Sequence, residues 1–205
     1  MKKGGTALKD YLQDLKSPVA IQEFLDSIPY NTTKRTLSPL LVARERMAHC
    51  MDGGMFAAAA LRHLGYLPLL VDLTAENDDD HIIAVFREGK CMGALAKSNT
   101  TVLRFREPVY RSLRELAMSY FDLYYNLNGQ KTLRSYSRSV DLSRFDDCNW
   151  ETTEEDLEFV GDYMGSVRHY QLITPSQAAT LNNVPKYLFE AGFAGADTDG
   201  LFKPV

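Results

Sequence analysis

Two residues of this 205-residue chain have the type and setting for thiol chemistry. Cys50 stands near the start of "AHCMDGGMFAAAALRHLGY", Ala48 to Tyr66, a stretch that reads as an alanine-rich helix. A cysteine at a helix start faces unpaired backbone N–H groups and the positive end of the helix dipole. Both stabilise the thiolate, which is the nucleophilic form. The N–H groups of Cys50 and Met51 can also receive an oxyanion formed on a substrate carbonyl. Gly53 and Gly54 each cost the helix roughly 1 kcal/mol relative to alanine, and their use is to let another backbone or a substrate approach the first turn. Asp52 works against the scheme, because a nearby carboxylate disfavours a thiolate. The plainer account of Cys50 is packing: it shares a side with Gly54, Ala57, Leu61 and Leu64, and free cysteine is among the most buried residue types.

His81 supplies the second half. It sits where the acidic run "NDDDH" meets an apolar strand, and a histidine fixed at a strand edge can take the proton from a thiol. His49 should point elsewhere if the helix starts at Cys50. His63 lies at that helix's far end, and His169 ends a late helical stretch. Asp78, Asp79 and Asp80 lack the glycine and downstream glutamate of a calcium loop; they read as a solvated loop that raises the basicity of His81. The soft groups of "MAHCM" suggest copper, but helix geometry spreads Met47, His49, Cys50 and Met51 around the axis. The tyrosines of "SYFDLYYN" and "RSYSRS" read as core at helical spacing, with a cleft lining as the alternative.

The elements that must position this pair are legible around it. Helices are predicted in "TALKDYLQDL", in "SPVAIQEFLDSI" with Ser17 as cap and Pro18 at the first helical position, and in "SPLLVARERMAH" opened by Ser38 and Pro39. The Cys50 helix should run to about Leu64 and stop at Gly65. "LPLLVDL", "HIIAVF" and "CMGALA" read as three strands of one sheet covered on both faces, the last two forming a hairpin. A long helix follows in "SLRELAMSYFDLYYNL", with Ser112 and Glu115 as a capping box. "TLRSYSRSVDL" reads as strand, and "TTEEDLEFVGDYMGSVRHY" as helix from a capping box of Thr152 and Glu155. From Ile173 onward the prolines and glycines suggest a loosely structured end.

The order cysteine, helix, glycine–proline turn, strand, histidine, strand, strand resembles the transglutaminase-like superfamily, relatives of papain-type cysteine peptidases. "CMDGGMFAAAALRHLGYLPLLVDL" and "DHIIAVFREGKCMGALAKSN" carry the likeness, over about Leu37 to Asn99. The resemblance implies an α+β, papain-like core in which an Ala-rich helix packs on an antiparallel sheet. It implies a catalytic Cys50 and His81, and an acidic residue facing the histidine from the next strand. A hairpin loop at Glu88 and Gly89 would set His81 opposite Ala96, which cannot orient an imidazole. Asn99, or failing it Ser98, then takes that role, as asparagine does in papain-like peptidases; the alternative is a bare Cys–His dyad. Asn31 precedes the cysteine in the order where papain-type enzymes supply an oxyanion-hole glutamine.

Composition bounds the rest. One domain is expected, with a helical extension over 1–36, a catalytic-type core over 37–99 and a further extension over 100–205. The net charge of -4 and the lack of a basic stripe argue against nucleic acid. No apolar run reaches the ~20 residues needed to span a bilayer, and the start lacks a signal peptide's apolar stretch. Three cysteines cannot all pair, which fits a reduced, cytoplasmic setting. The expected activity is hydrolysis or acyl transfer on a peptide or small amide through a Cys50 thioester, with no cofactor or metal. A binding protein that keeps the fold without catalysis is the rival.

Overall fold

The computed structural model describes residues 7–204. Residues 1–6, including the head of the first expected helix, and residue 205 lie outside the described residues. In chain order, α1 (Leu8–Leu12), α2 (Pro18–Ser27) and α3 (Pro39–Glu45) precede α4 (Cys50–His63). Strands β1 (Leu69–Ala75), β2 (His81–Glu88), β3 (Cys91–Leu95) and β4 (Arg106–Tyr110) follow. Then come α5 (Leu113–Met118), β5 (Leu133–Ser137), β6 (Val140–Asp141), α6 (Glu158–Ser166), β7 (His169–Gln171), α7 (Pro175–Ala178) and α8 (Lys186–Gly192). The sheet runs β4-β3-β2-β1-β5-β7, with β6 also pairing β1. Every strand pairing is antiparallel, so the chain is an α+β protein. Among the described residues no helix is long and apolar enough to cross a membrane, and the three cysteines are free.

Local chemistry explains the boundaries near Cys50. Ser17 and Ser38 cap α2 and α3 by accepting from the N–H groups of Ala20 and Leu41, and Pro18 and Pro39 open the two helices. α3 stops at Arg46, which adopts a left-handed conformation, and α4 ends before Gly65 at φ +93°. A helix this apolar all round must be buried, and α4 is: Met51 to Leu61 are all inside. It lies on the sheet face formed by Leu70, Ile82, Ala84, Phe86 and Leu95. Val71, Leu73, Ile83, Val85 and Ala94 line the opposite face, under Leu116, Tyr120 and Tyr124.

The glycines of α4 make that contact possible. A Cβ at Gly53 would collide with the Lys97 side chain, and one at Gly54 would sit 2.6 Å from Ile82 Cγ2. The helix therefore rests on β2 and the end of β3 at backbone distance. Lys97 runs beneath it, and its Nζ donates to the carbonyls of Leu25 (2.9 Å) and Ile28 (2.5 Å), which tie down the end of α2.

Several expectations are corrected. The β2–β3 loop is Gly89–Lys90, with Glu88 facing Cys91 and Ala84 facing Leu95. Gly89 takes φ +59°, as the first residue of a II′ turn does. Continued past Leu95, this register sets His81 level with Ser98 rather than Ala96. The helix after Ser112 ends at Met118, where the Ser119 hydroxyl donates back to the Leu116 carbonyl. The Glu115 carboxylate accepts from Arg111 N–H, not from Ser112. The Thr152 helix starts only at Glu158, because Thr153 and Asp156 side chains cap local turns at Glu155 and Glu158. The stretch after Ile173 is structured by α7, α8 and a 3₁₀ turn at Thr198–Gly200.

Candidate active site

Cys50 is the first residue of α4, and a short bridge holds the segment before it. Tyr30 pairs with Ala48 in parallel, Asn31 N–H donates to the Ala48 carbonyl, and Ala48 N–H donates to Pro29. His49 does not point away: it caps the helix, its Nδ1 accepting from Met51 N–H at 3.0 Å. One of the two N–H groups expected to hold an oxyanion is thus already bonded within the chain. The Cys50 thiol lies 3.8 Å from the Asp80 carbonyl. Burial first, and then the Asp79 and Asp52 charges, push the thiol up to about 12 against the opposing N–H groups of Ile82 and Met51. The helix start therefore does not yield the expected resting thiolate; desolvation outweighs the dipole.

His81 begins β2 and is buried. Its Nε2 lies 2.9 Å from the Leu103 carbonyl oxygen. A carbonyl only accepts, so Nε2 carries the hydrogen and Nδ1 is left as the basic nitrogen. Burial lowers the imidazole to about 4; the Leu103 bond opposes this, while Arg106 and Arg104 add to it. The neighbouring aspartates do not reverse this shift, contrary to the expectation that they raise His81's basicity.

The orienting residue expected for His81 is otherwise engaged. Asn99 bonds residue 197 twice, its Nδ2 donating to the Asp197 carbonyl and its Oδ1 accepting from Asp197 N–H, both at 2.8 Å. Ser98 Oγ bonds Thr100. The acceptor for His81 is a main-chain carbonyl on the loop after β3. Asn31 is buried behind the helix start, where its Nδ2 donates to Asp52 Oδ2 at 2.9 Å. Asp52 is wholly buried and also accepts from the N–H groups of Leu37 (2.7 Å) and His49 (3.1 Å). This network stitches the 31–37 loop to α4 and occupies the amide that would have served an oxyanion hole. Burial raises the Asp52 carboxyl above the usual carboxylate range, with His49, Asn31 and Leu37 opposing.

Sequence reasoning missed Tyr30. Its hydroxyl is raised first by burial, then by the Cys50 and Asp79 charges, while Cys50 N–H opposes. Tyr30 lines the same cavity as Cys50. Tyr30 immediately precedes Asn31 in the chain. The acidic loop is solvated at Asp79 and Asp80, as expected, but it is also tied to the fold. Tyr124 donates to the Asp79 carbonyl at 2.6 Å, Asp80 accepts from Ala75 N–H at 2.8 Å, and Asp78 accepts from the Thr132 hydroxyl at 2.7 Å. Burial raises the Asp78 carboxyl to about 6.

Cys50, His81, Asn99, Tyr30 and Tyr124 line one cavity of about 70 Å³, closed on one side by Gly200, Leu201 and Phe202. Asn31 lines a shallower recess beside it. Among the described residues no group of three or more His, Cys, Asp or Glu is placed to hold a metal ion. The chain matches no known family model and no curated protein.

Proposed function

We propose that this cleft carries out acyl chemistry through a thiol, in the manner of the transglutaminase-like and papain-like enzymes. The observation that carries the reading is the shared cavity: Cys50 and His81 both line it, and the Leu103 bond leaves His81 Nδ1 as the base. A helix that starts at the cysteine and lies on an antiparallel sheet, with the histidine first in its strand, supports it further.

In the proposed reaction the resting pair is a thiol and a neutral imidazole, not a thiolate–imidazolium pair. The Cys50 S–H proton passes to His81 Nδ1 as the sulfur attacks an amide carbonyl. A C–S bond forms and the carbonyl electron pair moves to oxygen, where Cys50 N–H and the Tyr30 hydroxyl stabilise it. The tetrahedral centre collapses, the C–N bond breaks, and the His81 proton goes to the leaving amine. The thioester then passes its acyl group to water or to a second amine.

The test is acylation of the chain by a p-nitrophenyl ester and by a small peptide amide, read by intact mass and peptide mapping. An adduct on Cys50 is expected; Cys50→Ala abolishes it, and His81→Ala slows it by about 100-fold or more. No Cys50 adduct, in the chain as it stands or with residues 197–205 removed, overturns the reading. A second reading, a binding protein that keeps the cleft without catalysis, draws on the raised thiol and lowered imidazole, and it would then stand.

A further inference from the structure

The segment 197–202 meets the cleft as a bound peptide would. The Asn99 side-chain amide reads both main-chain groups of one residue, donating to the Asp197 carbonyl and accepting from its N–H, each at 2.8 Å. This pairing ignores the side chain of residue 197. The chain uses the same geometry once more, where Gln22 donates to the Ala96 carbonyl at 2.9 Å and accepts from its N–H at 3.0 Å. That clamp is buried and joins α2 to the sheet, whereas the Asn99 clamp is exposed at the cleft mouth.

Past residue 197 the segment turns through Thr198–Gly200 and leaves extended at Leu201, φ -98° and ψ 134°. Gly200 lies flat against Tyr30: a Cβ there would sit 2.8 Å from Tyr30 Cδ1 and 3.0 Å from Asn99 Nδ2. Its φ is not in the left-handed region, so close approach, not backbone conformation, calls for glycine. Leu201 and Phe202 then line the cavity with Cys50 and His81. The space left is about 70 Å³, against roughly 300–1,000 Å³ for typical ligand sites. The segment is therefore seated where a substrate would have to enter.

We infer that the Cys50 cleft is a groove for polypeptide main chain, with Asn99 as the main-chain reader and the Tyr30–Asn99 constriction selecting glycine. Segment 197–202 is its intramolecular occupant, displaced by a peptide substrate. This names the substrate class of the site proposed above and rests on that proposal.

The experiment follows Cys50 modification by N-ethylmaleimide, resolved from Cys91 and Cys148 by peptide mapping. Three forms are compared: the full chain, Gly200→Val, and a chain ending at Ala196. Gly200→Val lifts the segment without shortening the chain, so it carries the test if the shortened form does not fold. Both variants should be modified at Cys50 about tenfold faster or more, the equivalent of about 1.4 kcal/mol of closure lost. A synthetic peptide of residues 196–204, added to either opened form, should slow modification severalfold. The same peptide with valine for glycine should not, and Asn99→Ala in the opened form should cancel the protection. Unchanged Cys50 modification in a folded Gly200→Val chain overturns the inference, as does a faster rate that the peptide fails to slow. Peptide protection without any Cys50 acylation would instead retain the groove and reject the acyl chemistry.

Discussion

His81 and His169 are each held by an oxygen at about 3 Å, and they are not equivalent. His81 Nε2 bonds a main-chain carbonyl, Leu103. His169 Nε2 lies 3.1 Å from a carboxylate, Asp72 Oδ2, while its Nδ1 lies 2.7 Å from the Val167 carbonyl. Asp72 and His169 belong to different strands, β1 and β7, and neither lines the Cys50 cavity. The carboxylate–histidine pair that looks most like catalytic equipment thus fastens a sheet edge. The histidine that lines the Cys50 cavity has an acceptor that orients the ring without charge. A carbonyl fixes tautomer and direction as well as a carboxylate does, but it stabilises an imidazolium far less. The proposed chemistry therefore starts from neutral partners, with the charge separation deferred to the transition state.

The largest effect that tests this contrast is on acylation. His81→Ala should lower Cys50 acylation by about two orders of magnitude or more, and His169→Ala should leave it within about twofold once folding is intact. Equal losses in both, measured as initial rates on folded protein, would erase the distinction.

The next effect is on stability against pH, where the two regions have opposite signs. His81 titrates at about 4 in the fold, below its ordinary 6.5. Between those values the unfolded chain holds a proton that the fold has given up, so stability rises with pH. Asp72 is raised by burial, and then by Asp80, from 3.8 to about 6. There the fold keeps a proton that the unfolded chain has lost, so stability falls as pH rises across that window. Each contributes on the order of 3 kcal/mol at full development, and in the native chain the His81 contribution is opposed by that of Asp72 and by Asp78, raised in the same sense. Asp72→Asn should therefore make the slope of urea-unfolding free energy against pH between about 4.5 and 6.5 more positive than in the native chain. His81→Gln should make it more negative. Parallel slopes in the two variants would contradict the assignment.

The smallest effect concerns the arginines near His81. Removing a cation by Arg106→Gln should move the His81 titration upward by less than about one unit, followed by NMR of the ring protons. A downward move would mean that Arg106's packing over Tyr120, rather than its charge, governs the ring.

Part of this arrangement is readable from local sequence. The proline and serine caps, the α4 boundaries and the three strands around His81 follow from short-range steric and hydrogen-bonding preferences. The hairpin register does not. "REGK" admits glycine at either central position of a two-residue loop, and moving the loop by one residue shifts every facing pair by two. Asn99 was singled out by its chemistry, but its partner lies 98 residues downstream, where no periodicity announces it. α8 is held by Tyr125 against Phe189 and Phe193 and by its hydroxyl on the Leu188 carbonyl; such contacts leave no local pattern. Tyr30 was hidden because a tyrosine beside a turn asparagine has many commoner uses.

The contact of Gly53 with Lys97 has a consequence for how this protein tolerates change. The seating of α4 at Gly53 is set by atoms already touching, so even a methyl group there must be absorbed by moving the helix or the lysine. Overfilling of this kind costs roughly 1–3 kcal/mol. In a deep mutational scan scored by activity, Gly53 will be as intolerant as Cys50, although it touches no substrate. Scored by abundance the two part company: Cys50→Ala should accumulate normally, and Gly53→Ala should not.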